Sequence, residues 1–577
     1  MSTANQHPLQ PRAAPKAVVV TLATPPTAPS SSSKSSANDP LGGMDPLSAM
    51  MMDPLSDPLS AMMMADSSGT DPLSLAASGN QGLGGSTPVS KEMERKQANE
   101  MAQKDDLNAH REDLNISWER RKKLIYSEYN VEGSITMSSA AYNDFDGSGV
   151  DDGSRTRLLD KYSQRLNGLD QRRFDRKTVT ITQTQFEGHV HKLAQDLEVA
   201  WAKEERQLSL KIVIQLAKLL ADTQHPQFYP CMFVLVTNVL ERFSDMVYTR
   251  LREKAEETVG PLKEGFTLDD VPVTARETSR NWFYKVSCIV ELLPRLLVEI
   301  TLLKCYRFLT DTEYPQILAR LGSIARGLGD PLVSTYARTY LVYTAETVVS
   351  HDRVSKLGFA MTQDMMYSFK MLRDTHHQIE LVRCGIPEDA YVRLMSPGVQ
   401  WMMKQVGKNA SKELFQSMLH HYRQHCNDAM VLGHIIEAFD GSHYAHGALG
   451  MVALIKAAIE SYKTTADVFA DLGKQLAAFP PPEEQRMAVL NEVWKVVSKQ
   501  GSGEKLASYV RCSAVWMELV QRHYTERELL ILLSDLTTKL GEVDGDLPDD
   551  ILRVLENILS AIIGKTAVFG STVFDYT

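Results

Sequence analysis

The sequence has few of the residue patterns that bind metals or support catalysis. No GxxxxGK[ST] phosphate loop, no GxGxxG turn after a strand and no GxSxG elbow is present. The cysteines also lack the short CxxC spacing of zinc knuckles and small disulfide domains, so reduced thiols are expected. They stand at Cys231, Cys288, Cys305, Cys384, Cys426 and Cys512. These absences predict a protein that is not an enzyme and needs no cofactor.

Excess positive charge and long apolar runs are missing as well. Lysine and arginine total 62 against 72 aspartates and glutamates, which gives a net charge of −10. Nucleic-acid binding needs a concentrated excess of basic residues, so no nucleic-acid partner is predicted. The longest apolar stretch without charge, residues 227–240, is too short to cross a bilayer core of ~30 Å. We therefore predict membrane association only through partner proteins.

Two patterns resemble metal sites without completing one. Asp144, Asp146 and Gly149 match the start of a calcium loop, but Arg155 stands where the bidentate glutamate is required. His421 and His425 have the i, i+4 spacing of a zinc pair, without the glutamate between them that serves a zinc protease as its base. No metal site is predicted, and a metal-dependent enzyme in this histidine-rich region remains the remote alternative.

Residues 1–90 have the composition of a disordered low-complexity arm. They include a serine run and methionine clusters, and they have few residues that could form a core. The tripeptide Asp-Pro-Leu recurs five times, usually followed by serine, which suggests a linear motif repeated for avidity, with low-complexity drift as the alternative. The copies are Asp39, Pro40, Leu41; Asp45, Pro46, Leu47; Asp53, Pro54, Leu55; Asp57, Pro58, Leu59; and Asp71, Pro72, Leu73.

Residues 91–154 are predicted to be a charged helical linker followed by a Gly/Asp-rich loop. The run Arg120, Arg121, Lys122 and Lys123 is interpreted as the face of a solvated helix, with a lipid- or acid-binding patch as the alternative.

Residues 155–577 are predicted to be an all-α, HEAT-like α-solenoid, with a set of compact helical bundles as the alternative. Helical periodicity repeats between short Gly, Pro or Asp linkers, and βαβ alternation is absent. Thr182 with Gln185 forms a predicted capping box, and Ile181 and Phe186 a hydrophobic staple. Further on, a helix is predicted to begin at Pro397.

Two blocks resemble a known family. The segment NWFYKVSCIVELLPRLLVEITLLKC from Asn281 resembles the PRLY-type helix of the large solenoid subunits of the endosomal sorting complexes retromer and retriever. The segment GDPLVSTYARTYL from Gly329 is similar to the next solenoid helix of those subunits, with Asp330 as N-cap and Pro331 at N1. FYPCMFVLVTNVL from Phe228, LNEVWKVV from Leu490, WERRKKL near Trp118 and the DPLS repeats resemble the retriever branch, the vacuolar protein sorting 35-like family.

The resemblance implies a set of partner-binding residues. Four residues match the family motif that is associated with binding of an arrestin-like subunit, namely Pro294, Arg295, Leu296 and Leu297. Leu297 stands where the family often has an aromatic residue. Arg295 is the preferred contact, since a charge within an apolar stretch needs a partner, whereas its three neighbours could equally be solenoid core. The second block adds Asp330, Pro331, Leu332 and Arg338.

The resemblance also implies an endosomal scaffold that recycles membrane cargo from the cytosolic face of endosomes. Its implied partners are an arrestin-like subunit, a phosphoesterase-fold subunit, the coiled-coil and COMM-domain proteins of the Commander assembly, and a sorting nexin cargo adaptor. Family members continue beyond this chain, so most of the phosphoesterase-fold docking half is expected to be missing. Another HEAT-like scaffold, of the nuclear transport or phosphatase-regulatory type, is the alternative.

Overall fold

The computed structural model describes residues 117–138, 178–372, 375–543 and 547–562. Helices dominate these ranges, so the all-α prediction is confirmed. The arm, its Asp-Pro-Leu copies and the calcium-like stretch lie outside the described residues.

The helices vary in length from two or three turns to more than eight. They are α1 (Trp118–Glu128), α2 (Gln183–Ala202), α3 (Arg206–Leu219), α4 (Tyr229–Val259), α5 (Val273–Ser287), α6 (Leu292–Thr301), α7 (Tyr314–Arg326), α8 (Pro331–Ala345), α9 (His351–Leu372), α10 (Thr375–Cys384), α11 (Glu388–Gly407), α12 (Lys412–His425), α13 (Ala429–Ala438), α14 (Ala448–Ala457), α15 (Thr465–Ala478), α16 (Glu483–Val497), α17 (Leu506–His523), α18 (Glu526–Gly541) and α19 (Asp549–Ile562).

Local sequence signals place several helix starts. At α2, Thr182 accepts a hydrogen bond from the Gln185 amide at 3.2 Å, and the Gln185 side chain accepts one from the Thr182 amide at 2.9 Å. At α8, the Asp330 side chain accepts from the Val333 amide at 3.0 Å, with Pro331 in the first turn. Such caps satisfy amides that have no partner within the helix. Both predicted helix starts are confirmed.

Successive helices pack as two layers in the described residues, as expected of an α-solenoid. One layer runs through α3, α6, α8, α11, α13, α15, α17 and α19, each in contact with the next. In the second layer, α9 packs on α12, and α14 packs on α16. The apolar side chains between the layers form one continuous core. None of the helices described is long and apolar enough to span a membrane.

A short β-ribbon precedes the helical layers. β1 (Ser134–Ser138) pairs with β2 (Thr178–Thr182) in antiparallel register, with Ile135 opposite Ile181. Both isoleucines are buried, and β2 leads directly into α2. The ribbon therefore joins the segment around α1 to the first helix of the array.

The helix predicted to begin at Pro397 begins at Glu388, so this boundary was wrong. Proline usually marks the start of a helix because it has no amide hydrogen to donate. Here Pro397 lies inside α11 and is buried. The next residue, Gly398, lies so close to α8 that an added Cβ would be 2.7 Å from the Thr339 hydroxyl oxygen. The helix therefore continues past Pro397, at a point where it packs closely against α8.

The close approach of α11 and α13 gives a first prediction. A Cβ on Gly407 would lie 2.1 Å from the carbonyl oxygen of Ala438, so Gly407→Ala must push two helix ends apart. We expect a loss of about 1–3 kcal/mol, measured as a lower melting temperature. Gly450→Ala on α14 is the control, because its added Cβ would meet nothing within 4 Å. Equal melting temperatures for the two variants would contradict the packing described here.

Candidate functional site

The PRLL residues lie on α6, near the N-terminal end of the array. The side chains of Pro294, Leu296 and Leu297 are buried, whereas Arg295 is half-buried. The three apolar residues therefore belong to the core, and Arg295 is the member of the motif that reaches the surface. Contact of these residues with a partner stays a prediction.

Buried polar contacts hold α6 in place. The carboxylate of Glu299, which is 5% exposed, accepts hydrogen bonds from Arg320 on α7 and, at 2.6 Å, from the Tyr306 hydroxyl. Burial acts to lower the pKa of Arg320, but the Glu299 carboxylate outweighs it and the pKa is raised. Thr301 of the same helix lies 3.1 Å from the Tyr340 hydroxyl of α8. Sequence reasoning missed these residues because their partners are distant along the chain.

Three exposed apolar side chains lie on α5, at the start of α6 and in the turn between them. Tyr284 is 70% exposed, Val290 97% and Leu292 44%. Beside Leu292, an added Cβ on Gly327 would be 3.3 Å from the leucine side chain, so the end of α7 closes one side. Tyr284, Val290, Leu292 and Arg295 together are called the α5–α6 surface below. Grouped exposed apolar residues are a common mark of protein-binding surfaces.

The second predicted block is almost wholly internal. Pro331, Leu332 and Arg338 are buried on α8, and Asp330 caps the helix. One Arg338 guanidinium nitrogen donates to the Ser334 hydroxyl at 2.9 Å, and burial lowers the pKa of Arg338 to about 10. The structure therefore places Pro331, Leu332 and Arg338 in the scaffold interior, and contact of the block with a partner stays a prediction.

Helix α1 contacts four helices of the array, and we call it the strap. Polar side chains of the strap contact α2 and α4, and Trp118 contacts α8 and α11. Its first residue, Trp118, is 4% exposed and packs at 5.2 Å between ring centroids on Tyr343 of α8 and at 4.9 Å on Trp401 of α11. At its other end, the Tyr129 hydroxyl donates to the Arg393 carbonyl at 3.0 Å. The strap thus connects residues more than two hundred positions apart.

The interpretation of the basic run as a solvated face was wrong for its third residue. Lys122 is 3% exposed, and its ammonium group donates to Asn238 at 2.9 Å and to Glu241 at 2.8 Å, both on α4. Burial also lowers the pKa of Arg121, whereas Lys123 is exposed. Sequence composition could not show this, because the acceptors lie more than a hundred residues away.

A buried ionic cluster joins α13 to α15. The Lys463 ammonium lies 2.7 Å from Glu437 and 2.7 Å from Asp471, and His434 lies 3.0 Å from Glu437. Burial lowers the pKa of His434, which favours the neutral ring. A neutral ring can donate to Glu437 while accepting from the Ser396 hydroxyl at 2.8 Å. Burial and the nearby Glu437 raise the pKa of Asp471 to about 7.

The histidines of the metal alternative lie on α12 and form ring contacts. His421 and His425 stack at 6.0 Å between centroids, and His425 packs at 4.1 Å on Tyr367 of α9. Among the residues that the structure describes, no group of three His, Cys, Asp or Glu side chains could hold a metal ion. These contacts are those of a helix interface.

The two-layered array, the strap that packs on it and the exposed α5–α6 surface define a helical scaffold of the solenoid class. Comparison with protein families gives two matches, to VPS35L over residues 117–394 and to the VPS35L C-terminal domain over residues 410–573. The chain belongs to the VPS35L family. The first match begins at Ser117, so it includes the strap.

Similar curated proteins carry the name VPS35 endosomal protein-sorting factor-like. That of Danio rerio is 34% identical over 475 residues, which are 81% of this chain and 47% of the relative. The Rattus norvegicus protein is 33% identical over 81% of this chain and 49% of its own length. The Homo sapiens protein is 31% identical over 81% and 47% respectively. The chain thus spans about half the length of these relatives.

Proposed function

We propose that this chain is a non-enzymatic scaffold subunit of a retriever-type endosomal sorting complex, which recycles membrane cargo within the Commander assembly. Family membership supports this proposal, since the relatives are named as endosomal protein-sorting factors. A helical array with a continuous core suits the task, because it holds surfaces on different helices at fixed separations. The proposed place of action is the cytosolic face of endosomes.

The proposed partners follow the family resemblance. They are an arrestin-like subunit, a phosphoesterase-fold subunit, the coiled-coil and COMM-domain proteins, and a sorting nexin cargo adaptor. Membrane association in this proposal occurs only through these partners.

The α5–α6 surface is the proposed docking site of the arrestin-like subunit, and its exposure is the observation that carries the proposal. Val290 is almost fully exposed beside the half-buried Arg295, while the rest of the motif lies in the core. An apolar anchor next to a cation is typical of interface centres. In this proposal the buried PRLL residues shape the helix, and Tyr284, Val290, Leu292 and Arg295 make the contact.

A charge inserted at this surface tests the proposal. We expect Val290→Glu and Arg295→Glu each to weaken co-purification of the arrestin-like subunit by about tenfold or more, since each places an unpaired charge in an interface. Val382→Glu on α10 is the control, because Val382 is also exposed, at 79%, and lies on another helix. Co-purification of both variants at the wild-type level would remove the proposed docking site.

A further inference from the structure

A cleft of about 310 Å³ lies where the end of α2 and the start of α3 meet α4. Its walls include Trp201, Arg206, Thr249 and Arg250, with Asp245 and Glu253 also lining it. This volume is near the lower end of the range for small-molecule sites. The cleft is separate from the α5–α6 surface, and we call it the α2–α4 cleft.

One cation of the cleft is held rigidly. The Arg206 guanidinium lies 4.0 Å from the centroid of the Trp201 ring, and one of its terminal nitrogens donates to the Trp201 carbonyl. Its Nε has no hydrogen-bond acceptor within the part of the chain that the structure describes. A guanidinium fixed in this way loses little further freedom when it binds a ligand.

The second cation, Arg250, lies near the same carboxylate oxygen as Arg206. Terminal nitrogens of both side chains lie 3.6 Å from the same oxygen, Oε1 of Glu204. This distance exceeds that of a charge-assisted hydrogen bond, which is about 2.7–2.9 Å. Burial and the positive charge of Arg250 lower the pKa of Arg206. The Glu204 and Glu253 carboxylates oppose this shift, so the two guanidinium groups are close to each other and are balanced by carboxylates that lie beside them.

The Glu204 carboxylate, which lies near both arginines, is weakly held. Its side chain is 70% exposed, and its backbone has a φ of +62°, in the left-handed region that residues other than glycine rarely adopt. Asp245 already pairs with Lys304. An oxyanion that enters the cleft can replace the Glu204 carboxylate and approach both arginines at hydrogen-bonding distance.

We propose that the α2–α4 cleft binds a phosphate group, with Arg206 and Arg250 as its charged ligands and Glu204 as an internal competitor. Arginine forms two parallel hydrogen bonds with phosphate, and the Thr249 hydroxyl on the same wall is a further donor. The phosphate comes either from a soluble compound or from a lipid headgroup. This site does not depend on the arrestin-like partner of the proposed function.

Calorimetric titration of the full 577-residue chain with inositol trisphosphate tests the site. Arg250→Gln is expected to weaken binding by about tenfold or more, since it removes a charged ligand. Glu204→Gln is expected to tighten binding by about threefold to tenfold, since the competitor loses its charge. Arg242→Gln is the matched control, because Arg242 is on the same helix, is 62% exposed and pairs with Glu198. Its binding should equal that of wild type.

Flotation with vesicles identifies the source of the phosphate. Binding to vesicles that contain phosphatidylinositol phosphate, and not to phosphatidylcholine alone, indicates a lipid headgroup, whereas binding of the soluble compound alone indicates a free phosphate ligand. The proposal is overturned if neither probe binds, if Arg242→Gln weakens binding as much as Arg250→Gln, or if Glu204→Gln fails to tighten it. Unchanged melting temperatures of the variants exclude unfolding as the cause.

Discussion

Trp118→Ala is expected to lower stability by about 3–5 kcal/mol, the range measured for removal of a large buried aromatic side chain. Trp118 anchors the first turn of the strap on α8 and α11, since its ring packs on Tyr343 and Trp401. Without it the strap keeps polar contacts with α2, α4 and α11, made by Tyr126, Lys122 and Tyr129. A lower melting temperature is the first measurement.

Limited trypsin digestion separates release of the strap from general unfolding. The basic run from Arg120 to Lys123 offers four trypsin sites on α1, and we expect the helical structure of the strap to protect them in the wild-type chain. In Trp118→Ala we expect cleavage here before cleavage in later helices. Leu124→Ala on the same helix is the control, since Leu124 is 43% exposed and its loss should change stability by only about 0.5 kcal/mol. A Trp118→Ala protein with wild-type melting temperature and digestion would show that the strap does not support the array.

Glu437→Ala is expected to destabilise the chain by about 3–5 kcal/mol, the usual result when one partner of a buried ion pair is removed. The Glu437 carboxylate accepts from Lys463 at 2.7 Å and from Gln400 at 3.1 Å, and it pairs with the His434 ring. After its loss the Lys463 ammonium, whose side chain is 14% exposed, keeps a single carboxylate, that of Asp471. A large fall in melting temperature is the expected measurement.

Glu492 provides the matched control for this ionic cluster. It is also a glutamate between two lysines, at 2.6 Å from Lys456 and beside Lys495, but its side chain is 39% exposed. Water solvates the lysines after Glu492→Ala, so the loss of stability should be far smaller than for Glu437→Ala. Equal losses for the two variants would show that burial of the Lys463 cluster does not increase its contribution.

Burial within the array separates the residues of the family motif into core and surface positions. Pro294, Leu296 and Leu297 are recognisable in the sequence, yet their side chains are buried between helices. The exposed Tyr284 and Val290 lie in the same family-like block but outside the PRLL motif. A motif records which residues recur, and burial determines which of them a partner can reach. For this reason we base the proposed interface on the α5–α6 surface.

The sequence by itself determined the all-α class, the family resemblance and the helix starts at Thr182 and Asp330. A cap joins residues two or three positions apart, so residue type and spacing suffice to predict it. The tertiary structure alone decided that α11 begins at Glu388, that Lys122 is buried and that Lys463 bridges two carboxylates. These features depend on contacts between residues that are distant in sequence. A basic or acidic residue looks the same in the sequence whether its partner is water or a buried side chain. Only packing of the helices excludes the water and brings the opposite charge within hydrogen-bonding distance.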